Sequence, residues 1–379
     1  MTIEELIAVE FARQPELIYL NHAAVAPWPL RTQQAVEAFA QENHQFGARN
    51  YPIWVKIEQQ TRQLLAQLIN APAADDIALL KNTSEGLSFI AYGLDWQAGD
   101  NVVISSQEFP SNRIVWHSLA QFGVEVREVD LLNAATPEDA LLQATDKHTR
   151  LLSISSVQYA SGLRVHLERL GEHCRAHDIL FCVDAIQSIG ALQFDVQAAQ
   201  ADFVVADGHK WMLGPEGVAL FYCRRELQPV LKLHEYGWHM LADMTDYTAT
   251  RWEFAANARR FECGSPNMLG IHALHASLSL LLEAGMAGVE ARVLDKAQTL
   301  FELIKSSPSL SLLTDTRPGR YAGIVTFTHQ EADATQLYQR LMQQGVICAA
   351  RGGGIRFSPH FYSDTAQLAQ AVNLASLSN

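Results

Sequence analysis

Two side chains near the middle of the sequence have the chemistry for covalent catalysis: Lys210 in VVADGHKWMLG and Asp184 in CVDAIQSIG. Each follows an apolar run, Phe203 to Ala206 and Ile179 to Val183, that reads as a buried strand. A lysine in a desolvated pocket has a lowered pKa and becomes a nucleophile, for example toward an aldehyde in a Schiff base. A carboxylate at a strand end is costly to bury unless a cation or hydrogen-bond donor meets it. Taken alone, Lys210 also reads as a lysine snorkelling to the surface, and Asp184 as a loop or capping aspartate.

Three more segments join them. In KNTSEG, Thr83 and Ser84 fall where a strand meets a helix, where free N–H groups and the helix dipole hold phosphate. The same residues also suit a plain helix cap assisted by Glu85. Phe109 in QEFPSN follows the strand Asn101 to Ser105 and either stacks on a planar ligand or packs in the core. Arg356 in RGGGIRFSPHFY is either a surface arginine or a fork for a carboxylate. Together the five describe one ligand, with a phosphate, an aldehyde, a ring nitrogen and a flat face. Pyridoxal 5′-phosphate has all four.

The elements needed to position such a set are present. From DIALLKNTSEG to GVALFYCRREL, apolar runs alternate with helical patterns, which predicts a mostly parallel sheet covered on both faces. The pattern loosens between about 235 and 260. From about residue 310, strands such as YAGIVTFTH and GVICAARGGGIRFS mix with helices such as EADATQLYQRLMQQ, an α+β pattern. The expected organisation is an N-terminal helical segment over 1–18 packing on the small domain, a large domain over 19–255, and a small domain over 256–379.

Composition narrows the function. The 379 residues carry a formal net charge of −13, which argues against nucleic acid or an anionic membrane as main partner. The five cysteines form no CxxC pair, which reads as reduced thiols and a cytoplasmic setting. The acidic start MTIEELIAVE has no signal-peptide pattern. GHKW lacks the rest of a P-loop, and with no HExxH no metal is expected. His234, His239 and His360 read as surface or pocket residues.

DAIQSIGALQFDV followed by ADFVVADGHKWMLGPEGVALFY resembles the signature of the class V aminotransferases, and the resemblance runs from YLNHAAVAPWP through NTSEG, EFPSN and FECGSPN to RFSPHFY. This group includes cysteine desulfurases, kynureninases and isopenicillin N epimerase-like proteins. The resemblance implies the α/β fold type I of pyridoxal-phosphate enzymes, with a large and a small domain. It implies that Lys210 holds the cofactor and then moves the substrate Cα proton. Asp184 would pair with the pyridine nitrogen and Gln187 would donate to the phenolic oxygen. Thr83, Ser84 and His209 would hold the phosphate, and Phe109 would stack on the ring. Ser265 would reach the phosphate of a partner subunit in a homodimer. Arg356 would clamp the substrate carboxylate, with Asn21 to Ala24 lining the entrance. Tyr159, Gln158, Trp238, His360 and Tyr362 are candidates for the side-chain pocket.

Three positions depart from that pattern. Asp207 stands where many relatives have serine, an awkward anion beside a phosphate, so it is left out of the phosphate set. Phe109 stands where desulfurases carry histidine. Desulfurases also need a persulfide-forming cysteine on a loop before the arginine, whereas Cys348 lies in the apolar stretch GVICAA. The expected reaction on an amino acid is therefore transamination. The alternatives on the same scaffold are a lyase, a desulfurase, a kynureninase-like hydrolase or an epimerase, and more remotely a non-catalytic binding protein.

Overall fold

The computed structural model describes residues 1–11 and 16–377. The predicted N-terminal helix is observed as α1 (Ile3–Glu10), capped by Thr2; the rest of that expectation, 12–15, lies outside the described residues. Helices α2 (Leu30–Phe46) and α3 (Tyr51–Leu68) follow a short strand, β1 (Ile18–Tyr19).

The large sheet comprises β2 (Ile77–Leu80), β3 (Asn101–Ser105), β4 (Glu125–Val129), β5 (Thr149–Ser155), β6 (Leu180–Asp184), β7 (Phe203–Asp207) and β8 (Ala219–Cys223). Their spatial order is β2-β8-β7-β6-β5-β3-β4, and β8 runs antiparallel to both neighbours while the remaining pairs are parallel. Helices α4 (Thr83–Gly93), α5 (Ser111–His117), α6 (Pro137–Gln143) and α7 (Leu167–Ala176) connect the strands.

Every residue of β3 and β7 is buried, as a parallel sheet covered on both sides requires. The period of two sends alternate side chains into different layers. Val204 and Ala206 join one core cluster, and Phe203 and Val205 join the other. Each large aliphatic buried this way stabilises the fold by about 1.5–3 kcal/mol. The edge strand β4, EVREV, keeps its charges at the surface, which blunts edge-to-edge pairing.

Beyond the loosely structured stretch, α8 (Met268–Ala284) packs on α2 and α3 and leads into α9 (Met286–Lys305). A second sheet has the order β12-β13-β10-β9, from β9 (Leu310–Leu312), β10 (Val325–His329), β12 (Ala349–Arg351) and β13 (Gly354–Phe357), all antiparallel. It shares a core with α9, α10 (Ala334–Gln343) and α11 (Thr365–Ser376) through Leu300, Leu341, Leu368, Phe327 and Phe357. β1 pairs with β11 (Val346–Ile347), so Ile18 and Leu20 join this smaller core. α1 inserts Leu6 into the core of the large sheet, and its Glu4 pairs with Arg292 of α9. Among the described residues no single helix is long and apolar enough to cross a membrane.

One glycine locks two loops of the large sheet together. Gly190, after β6, has φ +95°, and a Cβ there would lie 2.2 Å from the Trp211 carbonyl oxygen, after β7. Gly190→Ala combines left-handed strain with a backbone clash, and is expected to lower the unfolding free energy by about 1–3 kcal/mol or more. Urea denaturation of the purified variant checks this; wild-type stability would show that the loops do not meet there.

Candidate active site

The strands of the large sheet deliver their chemistry to one edge. Asp184 closes β6, Asp207 closes β7, and Lys210 sits in the turn just after it. Phe109 follows β3, Thr83 opens α4 after β2, and Tyr159 follows β5. The small sheet supplies Arg351 from β12 and Arg356 from β13. These residues, with Ala23, Ala24, Ser111, Ile186, Gln187 and His209, line one cavity of about 250 Å³. Such a position, at the carboxyl ends of parallel strands, is where open α/β sheets hold ligands.

The turn carrying Lys210 is strained. Leu213 has φ 60°, a left-handed conformation that costs a side-chain-bearing residue about 1–2 kcal/mol. Its N–H donates to the Lys210 carbonyl at 3.0 Å, and the Ser277 hydroxyl donates to its own carbonyl at 2.8 Å. Packing around the turn thus holds a geometry that the local chain disfavours.

Burial depresses the pKa of the Lys210 ammonium against the opposing pull of Asp184, while the Arg356 charge pushes it down further. Burial raises the pKa of Asp184, and the buried carboxylate of Glu108 adds to the rise. The Ile186 N–H donates to Asp184 at 3.1 Å. Glu108 is held by the Ser155 N–H at 2.8 Å, by the Ser155 hydroxyl, and by the Asn112 and Gln158 amides. Lys210 Nζ lies 5.6 Å from the centroid of the Phe109 ring.

Gln187 is fixed from both ends. Its Oε1 accepts from Trp211 Nε1 at 2.9 Å, and its Nε2 donates to the Ala23 carbonyl at 3.1 Å. Burial, with Lys210 beside it, holds the His209 pKa down at about 4, so its ring is neutral at pH 7. Arg356 donates to the Tyr159 carbonyl at 2.7 Å and to Asn21 Oδ1 at 3.4 Å.

Several expected positions differ. The cap of α4 is Asn82, not Thr83 or Ser84, because its side chain accepts from the Glu85 N–H at 2.9 Å. Asp207 is the partner that sequence reasoning lacked: it accepts from the Thr83 N–H at 3.2 Å and so fastens the helix start to β7. Ser84 is exposed and does not line the cavity; its hydroxyl donates to Ser111, which does, at 2.9 Å. Ser265 lines a separate cavity of about 210 Å³ with Lys81 and Glu85.

Of the side-chain-pocket candidates only Tyr159 lines the cavity. The Gln158 amide turns away to Glu108, and Tyr362 pairs with the buried His22 at 2.7 Å. His360 is wholly buried, 3.0 Å from the Trp211 carbonyl, and Trp238 lies in a remote turn beside His239. His239 is also buried rather than at a surface, 3.5 Å from each of Glu58 and Glu262, where Arg62 supplies the cation. Sequence reasoning missed Arg351, Ser111 and Glu108. Only Arg351 left a signal, as the charge before a glycine run that closes a hairpin.

The family model Aminotransferase class-V matches residues 18–369. The chain belongs to this family. It is therefore a pyridoxal-phosphate-dependent enzyme. A probable cysteine desulfurase of Methanothermobacter thermautotrophicus is 29% identical, with 93% of this chain and 92% of that protein aligned. The apo cysteine desulfurase of Thermococcus onnurineus NA1 superposes with a TM-score of 0.88 at 21% identity, over 98% of this chain and 97% of that one. The cystine C–S lyase C-DES, solved with its product cysteine persulfide, superposes with a TM-score of 0.86 at 24% identity, over 94% and 97%. These superpositions confirm the α/β fold expected of the family.

The residues in the cavity fit that cofactor. Thr83 Oγ1, His209 Nδ1 and Arg356 Nε are buried with no hydrogen-bond partner among the described residues. A buried carboxylate and a desolvated lysine border the same space, beside an aromatic face. Asp207 is the misfit, since its carboxylate already occupies the first N–H of α4.

Burial raises the Asp207 pKa, while the Thr83 N–H and the Lys210 charge pull it down. As pH rises the carboxylate gains charge and opposes a phosphate beside it. Asp207→Ser is therefore expected to bind pyridoxal 5′-phosphate more tightly than wild type, with the advantage growing as pH rises. Fluorescence titration of the apoprotein across pH reads this out. Equal affinities at every pH would show that Asp207 does not face the phosphate.

Proposed function

We propose that this enzyme is a lyase that cleaves the Cβ–S bond of a cysteine-type amino acid by elimination. The observation that carries this reading is the tight end of the β12–β13 hairpin. Only Gly352 and Gly353 separate Arg351 from β13, both with positive φ (60° and 79°), so no loop there brings a cysteine to the cavity. Among the described residues no cysteine lines it. Cys348 is buried in the small-domain core, and burial pushes its thiol up to about 12. The relatives are named for removing sulfur from cysteine or cystine, and elimination does so without a thiol on the protein.

Transamination, the first expectation, gives way to this alternative because the names of the relatives favour sulfur chemistry. A desulfurase that passes sulfur to its own cysteine is the runner-up, favoured by those same names and opposed by the hairpin.

When bound, pyridoxal 5′-phosphate supplies an electron sink at the substrate Cα. Lys210, with its amine made available by desolvation, holds the cofactor and then takes the Cα proton. The carboxylate of Asp184 would pair with the pyridine nitrogen and keep it protonated. Gln187, its carbonyl tied by Trp211 and one amide N–H by the Ala23 carbonyl, would turn its second N–H to the phenolic oxygen. Thr83 and neutral His209 would hold the phosphate, and Phe109 would cover the ring. Ser84 supports this end through Ser111. Arg356, steadied by Tyr159 and Asn21, takes the substrate carboxylate as Ala24 lines the entrance. Ser265 would complete the site of a partner subunit in a homodimer. The Cβ–S electron pair leaves with sulfur as a thiolate. The carbon remainder leaves as aminoacrylate, which water converts to pyruvate and ammonium.

Incubation of the holoenzyme with S-alkyl-L-cysteines is expected to release pyruvate, ammonium and thiol in equal amounts, with no 2-oxo acid added. Lys210→Ala should lose at least about 10³-fold in turnover, a share typical of general acid–base catalysis. Cys348→Ala should keep turnover. Alanine with protein-bound sulfur, lost in Cys348→Ala, would support a desulfurase instead; dependence on a 2-oxo acid would restore transamination.

A further inference from the structure

The cavity holds a second guanidinium that the proposed reaction does not use. Arg351 and Arg356 lie on adjacent antiparallel strands, with Arg356 opposite Ala349 and Arg351 opposite Gly354. Arg351 is two residues from the partner of Arg356, so both side chains leave the same face of the sheet. Diagonal neighbours of this kind are about 7–8 Å apart at the backbone. The glycine pair at 352 and 353 fixes this arrangement, because the turn leaves no slack between the strands.

The two arginines differ in depth. Arg356 is 2% exposed, while Arg351 is exposed at the solvent side of the cavity. Neither forms an ion pair with a carboxylate among the described residues. Among the described residues the Arg351 guanidinium donates only to the neighbouring Ala350 carbonyl, at 2.8 Å. Burial lowers the Arg356 pKa to about 10, and the charge of Arg351 contributes. Two cations held on one face without an anion repel each other, and a ligand with two anionic groups relieves both.

We propose that Arg351 is a specificity residue for an amino acid whose side chain ends in a second anionic group, bound at the cavity mouth while Arg356 holds the α-carboxylate. This inference rests on the proposed reading of the site. Within it, the substrate class is a cysteine whose sulfur substituent bears an acid. The elimination is unchanged: Lys210 takes the Cα proton, the Cβ–S pair leaves with the acidic thiolate, and aminoacrylate plus water gives pyruvate and ammonium. A guanidinium suits this task because its planar fork pairs with a carboxylate through two hydrogen bonds.

The test compares S-carboxymethyl-L-cysteine with the neutral S-ethyl-L-cysteine on wild-type holoenzyme, Arg351→Ala and Arg351→Lys. Wild type should prefer the acidic substrate, mainly through KM. In Arg351→Ala that preference should shrink by about 10- to 100-fold, the value of one charge-assisted hydrogen bond. Arg351→Lys should regain part of it, which a merely structural role would not allow. The same two compounds are also titrated against the cofactor absorbance, which reports binding without elimination. If neither compound yields pyruvate yet the acidic one binds with Arg351-dependent preference, the lyase reading fails and the specificity survives. Equal losses for both compounds, no acidic preference in wild type, or a weakened cofactor affinity in Arg351→Ala would overturn the proposal.

Discussion

A buried carboxylate and a desolvated lysine at one edge of the sheet are the constraint around which the rest of this structure is arranged. Asp184 and Lys210 belong to the ends of neighbouring parallel strands, β6 and β7. Neither charge is stable there alone, since burial raises the pKa of one and lowers that of the other. Each is helped by its counterpart, and the cavity between them leaves room for a ligand that completes both. The strained turn at Leu213, the Gly190 contact with Trp211 and the tethering of Gln187 all keep these two groups in place.

The large sheet and its edge chemistry were legible because they depend on local pattern. Apolar runs of three to five residues mark the strands, and Asp184, Phe109, Thr83 and Lys210 are legible because each lies at or just beyond the end of such a run. Arg356 was legible from its glycine run, although its partners, the Tyr159 carbonyl and Asn21, come from distant parts of the chain. The same non-local pairing hid the role of Asp207, whose bond to the Thr83 N–H joins residues 124 apart. The side-chain pocket was least legible. Histidines and aromatics such as His360 and Tyr362 read as ligand-facing by type, but they are spent on a buried ring cluster with His22, Trp211 and Phe361.

Family membership and reaction type rest on different parts of the molecule. Membership follows from the large-domain signature and spans nearly the whole chain. Reaction type depends on what meets the substrate beyond Cα, and there the short hairpin of the small domain decides the surroundings. It presents Arg351 to the cavity and leaves Cys348 in the core. Under the proposed reading, a few residues of loop length separate two sulfur chemistries that one fold can support.

All of the proposed roles converge on the covalent use of one lysine among several. Reduction of the holoenzyme with borohydride, followed by digestion and mass spectrometry, locates the attachment point directly. The account predicts a pyridoxyl group on the peptide containing Lys210 and on no other lysine. Labelling of a different lysine, such as Lys81 or Lys232, or no label on a protein shown to bind the cofactor, would contradict it.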